Sequence, residues 1–133
     1  MTAVVTGGSG GIGSEVVKLL RDGGWDVVSL SRREGCDVSD EQQVRDAFGR
    51  LVTLDALIHC AAVLIKKPIT ELSATEWDEQ LGVGLRAAFL CSREAFRLMR
   101  DRGGSIVFVS SLSGVAGAEK FPGMAAYVAA KSG

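Results

Sequence analysis

A chain of 133 residues has the length of one domain. Its composition, 47% hydrophobic and 23% charged with a net charge of −1, is that of a globular protein, with no basic surplus for nucleic acid and no charged tail. The longest apolar stretch, 57–65, is interrupted by His59 and too short to span a bilayer, and the N-terminus lacks the basic segment of a secretory leader.

In chain order, Thr2 to Thr6 reads as a buried strand ending in glycine. Ile12, Val16, Val17 and Leu20 then fall on one helical face, and Gly23-Gly24 ends that helix. Trp25 to Leu30 is a second strand, and Cys36-Asp37-Val38 a short third one. Ser39, with Gln42 three residues on, forms a capping box ahead of a helix carrying Val44, Ala47, Phe48 and Leu51. Leu54 to Cys60 is another buried strand. Ser73 or Thr75 caps a long helix that runs towards Arg100. Leu81, Leu85, Phe89 and Phe96 form one apolar stripe of that helix, while Leu90, Ala95 and Leu98 lie elsewhere. One stripe can face a sheet and the other a second subunit, so the helix over residues 75–100 is a candidate homo-oligomer surface. Gly103-Gly104 ends it, Ser105 to Ser110 is a further strand, and a last helix begins near Gly123. Strands alternating with helices predict right-handed βαβ units: an α/β fold with a doubly wound parallel sheet.

Thr6-Gly7-Gly8-Ser9-Gly10-Gly11-Ile12-Gly13 joins the first strand to the first helix. Glycines there allow a sharp turn, a close approach of backbone to a pyrophosphate, and tight packing of helix on sheet. The helix N-terminus adds free N–H groups and partial positive charge, which suits phosphate. No Gly-Lys-Ser/Thr follows, so this is not a Walker loop. The residue that reads the adenosine ribose should sit about 20 residues after the turn, where an acid would bind a 2′-hydroxyl. Ser31-Arg32-Arg33 stands there instead. A guanidinium fits a phosphate bidentately and a serine hydroxyl adds a hydrogen bond, which favours NADP over NAD. The alternative is a solvated arginine pair beside Glu34.

Three patterns in order resemble the classical short-chain dehydrogenase/reductase family: the glycine spacing Gly7-x-x-x-Gly11-Ile12-Gly13, Ser110-Ser111 at a strand end, and Tyr127-x-x-x-Lys131. The resemblance implies a Rossmann-type sheet of order 3-2-1-4-5, incomplete at its C-terminal side, with residues 1–133 a single dinucleotide-binding domain and a fragment of a longer one. It implies hydride transfer between a nicotinamide cofactor and a carbonyl or alcohol. Ser111, Tyr127 and Lys131 would be catalytic, with Ser110 and Ser113 competing for the serine role. Tyr127 would exchange the proton at the substrate oxygen as general acid or base. Lys131, one helical turn on, would favour its phenolate and hold the nicotinamide ribose. Gly7, Ser9, Gly10, Gly11, Ile12 and Gly13 would bind the pyrophosphate, Ser31 and Arg32 the 2′-phosphate, and Asp37 and Val38 the adenine. Cys60, Ala61, Ala62, Tyr127 and Lys131 would complete the cofactor site.

The sequence departs from that family in four places. Only Arg33-Glu34-Gly35 separates Arg32 from Cys36, where the family has a long helix, so that helix is expected to be absent or nearly so and the third strand to be no more than a stub. His59-Cys60-Ala61-Ala62 replaces Asn-Asn-Ala-Gly, with His59 read as a packed strand-end residue. Gly84 stands where the family carries a proton-relay asparagine. The chain ends at Gly133, two residues after Lys131. A non-catalytic dinucleotide-binding module, or an inactive fragment, is therefore the competing reading. Cys36, Cys60 and Cys91 form no C-x-x-C pair, and with a single histidine no metal centre is expected. Reduced thiols in a cytoplasmic protein are the expectation.

Overall fold

The computed structural model describes residues 1–133. Strands β1 (Thr2–Thr6), β2 (Asp26–Leu30), β3 (Ala56–His59) and β4 (Ser105–Phe108) form one parallel sheet of order β2-β1-β3-β4. Its register pairs Val4 with Val28 and with Leu57, and Leu57 with Ile106. Successive side chains of a strand point to opposite faces, and the two faces are covered unequally. Val5 and Val27 meet Val17 of α1 (Gly11–Asp22) on one side. Val4, Leu30 and Leu57 join the larger cluster on the other, with Val44 and Phe48 of α2 (Glu41–Phe48) and Leu90, Cys91 and Ala95 of α4 (Ala87–Met99). Full burial of a side chain such as Leu57 or Leu90 contributes about 1.5–3 kcal/mol. No helix is long and apolar enough to cross a membrane.

The expected third strand is absent. Cys36 to Val38 pairs with no strand, and the sheet has four strands instead of the five of order 3-2-1-4-5. A parallel neighbour of β2 needs a crossover of a dozen or more residues. Here a single tight turn over Arg32–Glu34 is closed by Gly35, whose φ of 81° is left-handed. Cys36 and Val38 instead drop into the larger core. The cap of α2 also differs from expectation. Asp40 is the N-cap, its carboxylate accepting from Gln43 N–H, while Ser39 donates to Asp37. Glu41 on α2 binds Arg93 on α4 at 2.9 Å and braces the two helices.

The long helix is two helices and a wide turn. The hydroxyl of Ser73 accepts from Glu76 N–H and the Glu76 carboxylate accepts from Ser73 N–H, a complete capping box that starts α3 (Ala74–Leu81). Residues Gly82–Arg86 then widen, with Ala87 N–H reaching back five residues to Gly82 O, before α4 continues. The final helix α5 (Ala125–Ser132) explains the glycine in that turn. A Cβ on Gly84 would lie 2.9 Å from the Ala130 methyl. Glycine at 84 lets α5 rest on the wide turn, and an asparagine side chain there meets Ala130 unless α5 moves.

Candidate active site

The strand order reverses between β1 and β3, since the chain runs first to β2 on one side and then to β3 on the other. In open α/β sheets, ligands sit at such a switch point beyond the C-terminal strand ends. A cleft of about 400 Å³ lies there, within the usual size of a small-ligand site.

The glycine turn forms one wall. Gly7 sits at φ 69° against the Cys60-Ala61 backbone, and a Cβ there would come within 2.9 Å of Ala61. A Cβ on Gly13 would lie 2.3 Å from Gly7 O, so only glycine lets α1 start this close to the turn. Gly10 and Gly11 border the cleft, and a Cβ on either meets nothing within 4 Å. No side chain caps α1, so its first N–H groups remain available. Bare backbone, free donors and a helix N-terminus at one mouth fit a dinucleotide pyrophosphate. Ile12 and Gly13 also line the cleft, whereas Ser9 does not.

The far end is built by β2 and the connection that follows it. Ser31, Arg32, Asp37 and Val38 line it. Ser31 is buried and its hydroxyl donates to Glu34 Oε2 at 2.5 Å, and Ser29 donates to the same oxygen at 2.7 Å. Arg32 Nη2 donates to Glu79 Oε1 at 3.0 Å, and Asp37 Oδ2 lies 3.9 Å from Arg32 Nε. Burial pulls the Asp37 carboxyl upwards, but hydrogen bonds from Ser39 and the Arg32 charge hold it below its usual range. Both serine and arginine are therefore engaged by carboxylates. Glu34 was legible as a Ser-x-x-Glu spacing. Glu79 was not, because it lies 47 residues from Arg32.

The near end gathers Cys60, Ala61 and Ala62 after β3, Val109 and Ser110 after β4, and Tyr127 and Lys131 of α5. Lys131 Nζ donates to Val109 O at 2.6 Å and lies 5.9 Å from the Tyr127 ring centroid. Burial lowers the Lys131 ammonium below its usual range, with Cys60 opposing. Ser110 donates to Lys131 O at 2.9 Å. Ser111 stands just outside the cleft, and its hydroxyl accepts from Ser113 N–H at 3.1 Å. Ser113 is buried behind it.

His59 lies beneath this end and is 2% exposed. Thr6 Oγ1 accepts from Ala61 N–H and shares a hydrogen bond with His59 Nδ1 at 2.8 Å. Nε2 faces the Val83 and Gly84 carbonyls without closing a hydrogen bond to either. Burial, and then the Lys131 charge, push the ring from 6.5 to about 4. His59 is a packed strand-end residue, as its sequence position suggested.

A parallel sheet with helices on both faces, a glycine turn after its first strand and a cleft at the switch point define a Rossmann-type α/β protein. The sequence profile described as short chain dehydrogenase matches residues 34–133. The chain is 32% identical to a 3beta-hydroxysteroid dehydrogenase of Mediterraneibacter gnavus, over 96% of this chain and 54% of that protein. It is 32% identical to carbonyl reductase [NADPH] 2 of Sus scrofa, over 98% and 60%. An aldohexose dehydrogenase of Thermoplasma acidophilum superposes with a TM-score of 0.90 at 26% identity, covering 98% of this chain and 56% of that one. The chain belongs to the short chain dehydrogenase family. It spans little more than half the length of these relatives. The alignment with the bacterial steroid dehydrogenase runs over 153 positions against 133 residues, so that relative carries residues this chain lacks within the shared region.

Proposed function

We propose that this chain forms the cofactor-binding and catalytic part of an NADP-dependent oxidoreductase acting on a carbonyl or alcohol. The observation that carries the reading is the meeting of Tyr127 and Lys131 with the glycine turn in one cleft. A nicotinamide cofactor, when bound, supplies or accepts the hydride. The residues of the chain do the remaining work. Gly10, Gly11 and the N-terminus of α1 hold the pyrophosphate, and Gly7 and Gly13 keep that turn tight against the sheet. Ile12 and the 60–62 segment flank the dinucleotide, and Asp37 and Val38 flank its adenine. Arg32, with Ser31 beside it, takes the 2′-phosphate. Tyr127 gives its proton to the substrate oxygen in reduction and takes it back in oxidation. The Lys131 ammonium favours the phenolate through its charge, and Ser111, whose oxygen accepts from Ser113 N–H, donates its hydroxyl proton to orient the substrate oxygen. A binding-only role is not favoured, because it leaves Tyr127 and Lys131 without use.

Cytoplasm is the compartment we propose, on the strength of three free thiols, two of them buried. The exposed stripe of α4 is proposed as a contact between copies.

Two measurements test the function. Fluorescence titration with NADPH and NADH should show saturable binding, with Arg32→Asp weakening NADPH and sparing NADH. Turnover on a carbonyl panel should fall at least about 100-fold in Tyr127→Phe with NADPH affinity retained. Equal turnover in both proteins removes Tyr127 from the mechanism.

A further inference from the structure

The proposed 2′-phosphate group already has an occupant. Arg32 is the only cation lining the adenosine end of the cleft, and one Nη2 N–H of its guanidinium donates to Glu79 Oε1 at 3.0 Å. Asp37 stands on the other side at 3.9 Å from Nε, with its own Oδ1 held by Ser39. Glu79 reaches across from α3, which the capping box at Ser73 and Glu76 fixes in place. Glu79 therefore presents a carboxylate at the position from which Arg32 would offer its fork to an anion. The pair is half-open to water, with side-chain exposures of 52% and 39%, so it is weak enough for a ligand to displace.

We propose that Glu79 sets nucleotide selectivity by competing within the chain for Arg32 against the 2′-phosphate. This rests on the NADP reading above. The geometry supplies two effects of the same sign. A phosphate that takes the Arg32 fork competes with Glu79 for Nη2, and it lies beside a like charge. A 2′-hydroxyl meets neither penalty, because it needs no guanidinium and carries no charge. Glu79 thus narrows the margin between phosphorylated and unphosphorylated adenosine. No local pattern in the sequence joins the two residues, and their distance in the chain explains why only the fold pairs them.

The test uses adenosine fragments, so that no turnover is involved. Calorimetric titration of the 133-residue chain with 2′,5′-ADP and 5′-ADP gives a selectivity ratio for each variant. Glu79→Gln should tighten 2′,5′-ADP about two- to fivefold and leave 5′-ADP unchanged. Arg32→Ala should weaken 2′,5′-ADP by about tenfold. In Arg32→Ala/Glu79→Gln the gain from Glu79→Gln should vanish, an outcome that a merely structural role for Glu79 does not produce. If Arg32→Ala weakens 2′,5′-ADP but Glu79→Gln leaves the ratio unchanged, the competition is wrong and the NADP reading stands. If Arg32→Ala changes neither fragment, the NADP reading fails and takes the competition with it. A gain from Glu79→Gln that persists without Arg32 also overturns the proposal.

Discussion

Glycines around the first turn differ in what a methyl group would meet there. At Gly13 it would strike the Gly7 carbonyl at 2.3 Å, backbone that cannot swing aside. Gly13→Ala should therefore destabilise the chain by about 1–3 kcal/mol, read by urea unfolding. At Gly10 the backbone is extended, with φ −145°, and the space beyond is open. Gly10→Ala should stay within about 1 kcal/mol of the unsubstituted protein while weakening NADPH roughly tenfold, because the new methyl enters the cleft. Unchanged NADPH affinity in Gly10→Ala would mean that this open space is not where the dinucleotide lies. These positions were legible as a motif from their spacing after a strand. Which glycine serves the fold and which faces the cleft was not, because that depends on where Cys60, Ala61 and the start of α1 come to rest.

Among the elements, a few neighbouring residues decide where helices start. The Ser73–Glu76 capping box starts α3 through bonds within one turn, which selects Ser73 over Thr75 as the cap. Ser39 and Asp40 are both good caps for α2, and Asp40 takes the role because Asp37 claims the Ser39 hydroxyl. The long helix divides at Gly82–Arg86, where α5, from far along the chain, packs against Gly84. Helix α4 is apolar on two sides, and the structure separates them. Leu90, Cys91 and Ala95 are buried against the sheet, while Phe89 and Phe96 are 60% and 69% exposed. Two exposed phenylalanines of one helix are the surface proposed to meet a second copy. Phe89→Ser/Phe96→Ser should shift the sedimentation profile at micromolar concentration from dimer to monomer. Its unfolding free energy should change by no more than about 1 kcal/mol, since neither ring is in the core. A monomeric unsubstituted protein at that concentration rules the contact out.

Across the whole molecule, His59 joins three parts of the fold. It ends β3, bonds Thr6 at the end of β1, and underlies the wide turn on which α5 rests. Its burial has a consequence for stability against pH. The unfolded chain takes up the imidazole proton near 6.5, whereas the folded chain does so at about 4. Between these values the unfolded state holds more protons, so stability rises with pH. The contribution is complete above 6.5, is lost as pH falls towards 4, and amounts to roughly 1–3 kcal/mol. Chemical denaturation of the protein and of His59→Asn from pH 7.5 to 4 should show the gap between them closing by that amount. A gap that stays constant over the window contradicts a buried, neutral His59.

The alternation of strands and helices, the glycine turn after the first strand, and Tyr127 and Lys131 one helical turn apart are all legible along the chain. Each of these depends on residues within a few positions of one another, where periodicity, capping and backbone sterics act. The three-residue link Arg33-Glu34-Gly35 also counts against a third strand, because it cannot carry the chain back beside β2 in parallel. Tertiary contacts settle that Arg32 is held by Glu79 and that Gly84 makes room for Ala130. Those outcomes are contacts between segments distant in the chain, and short-range pattern carries no record of which partner wins.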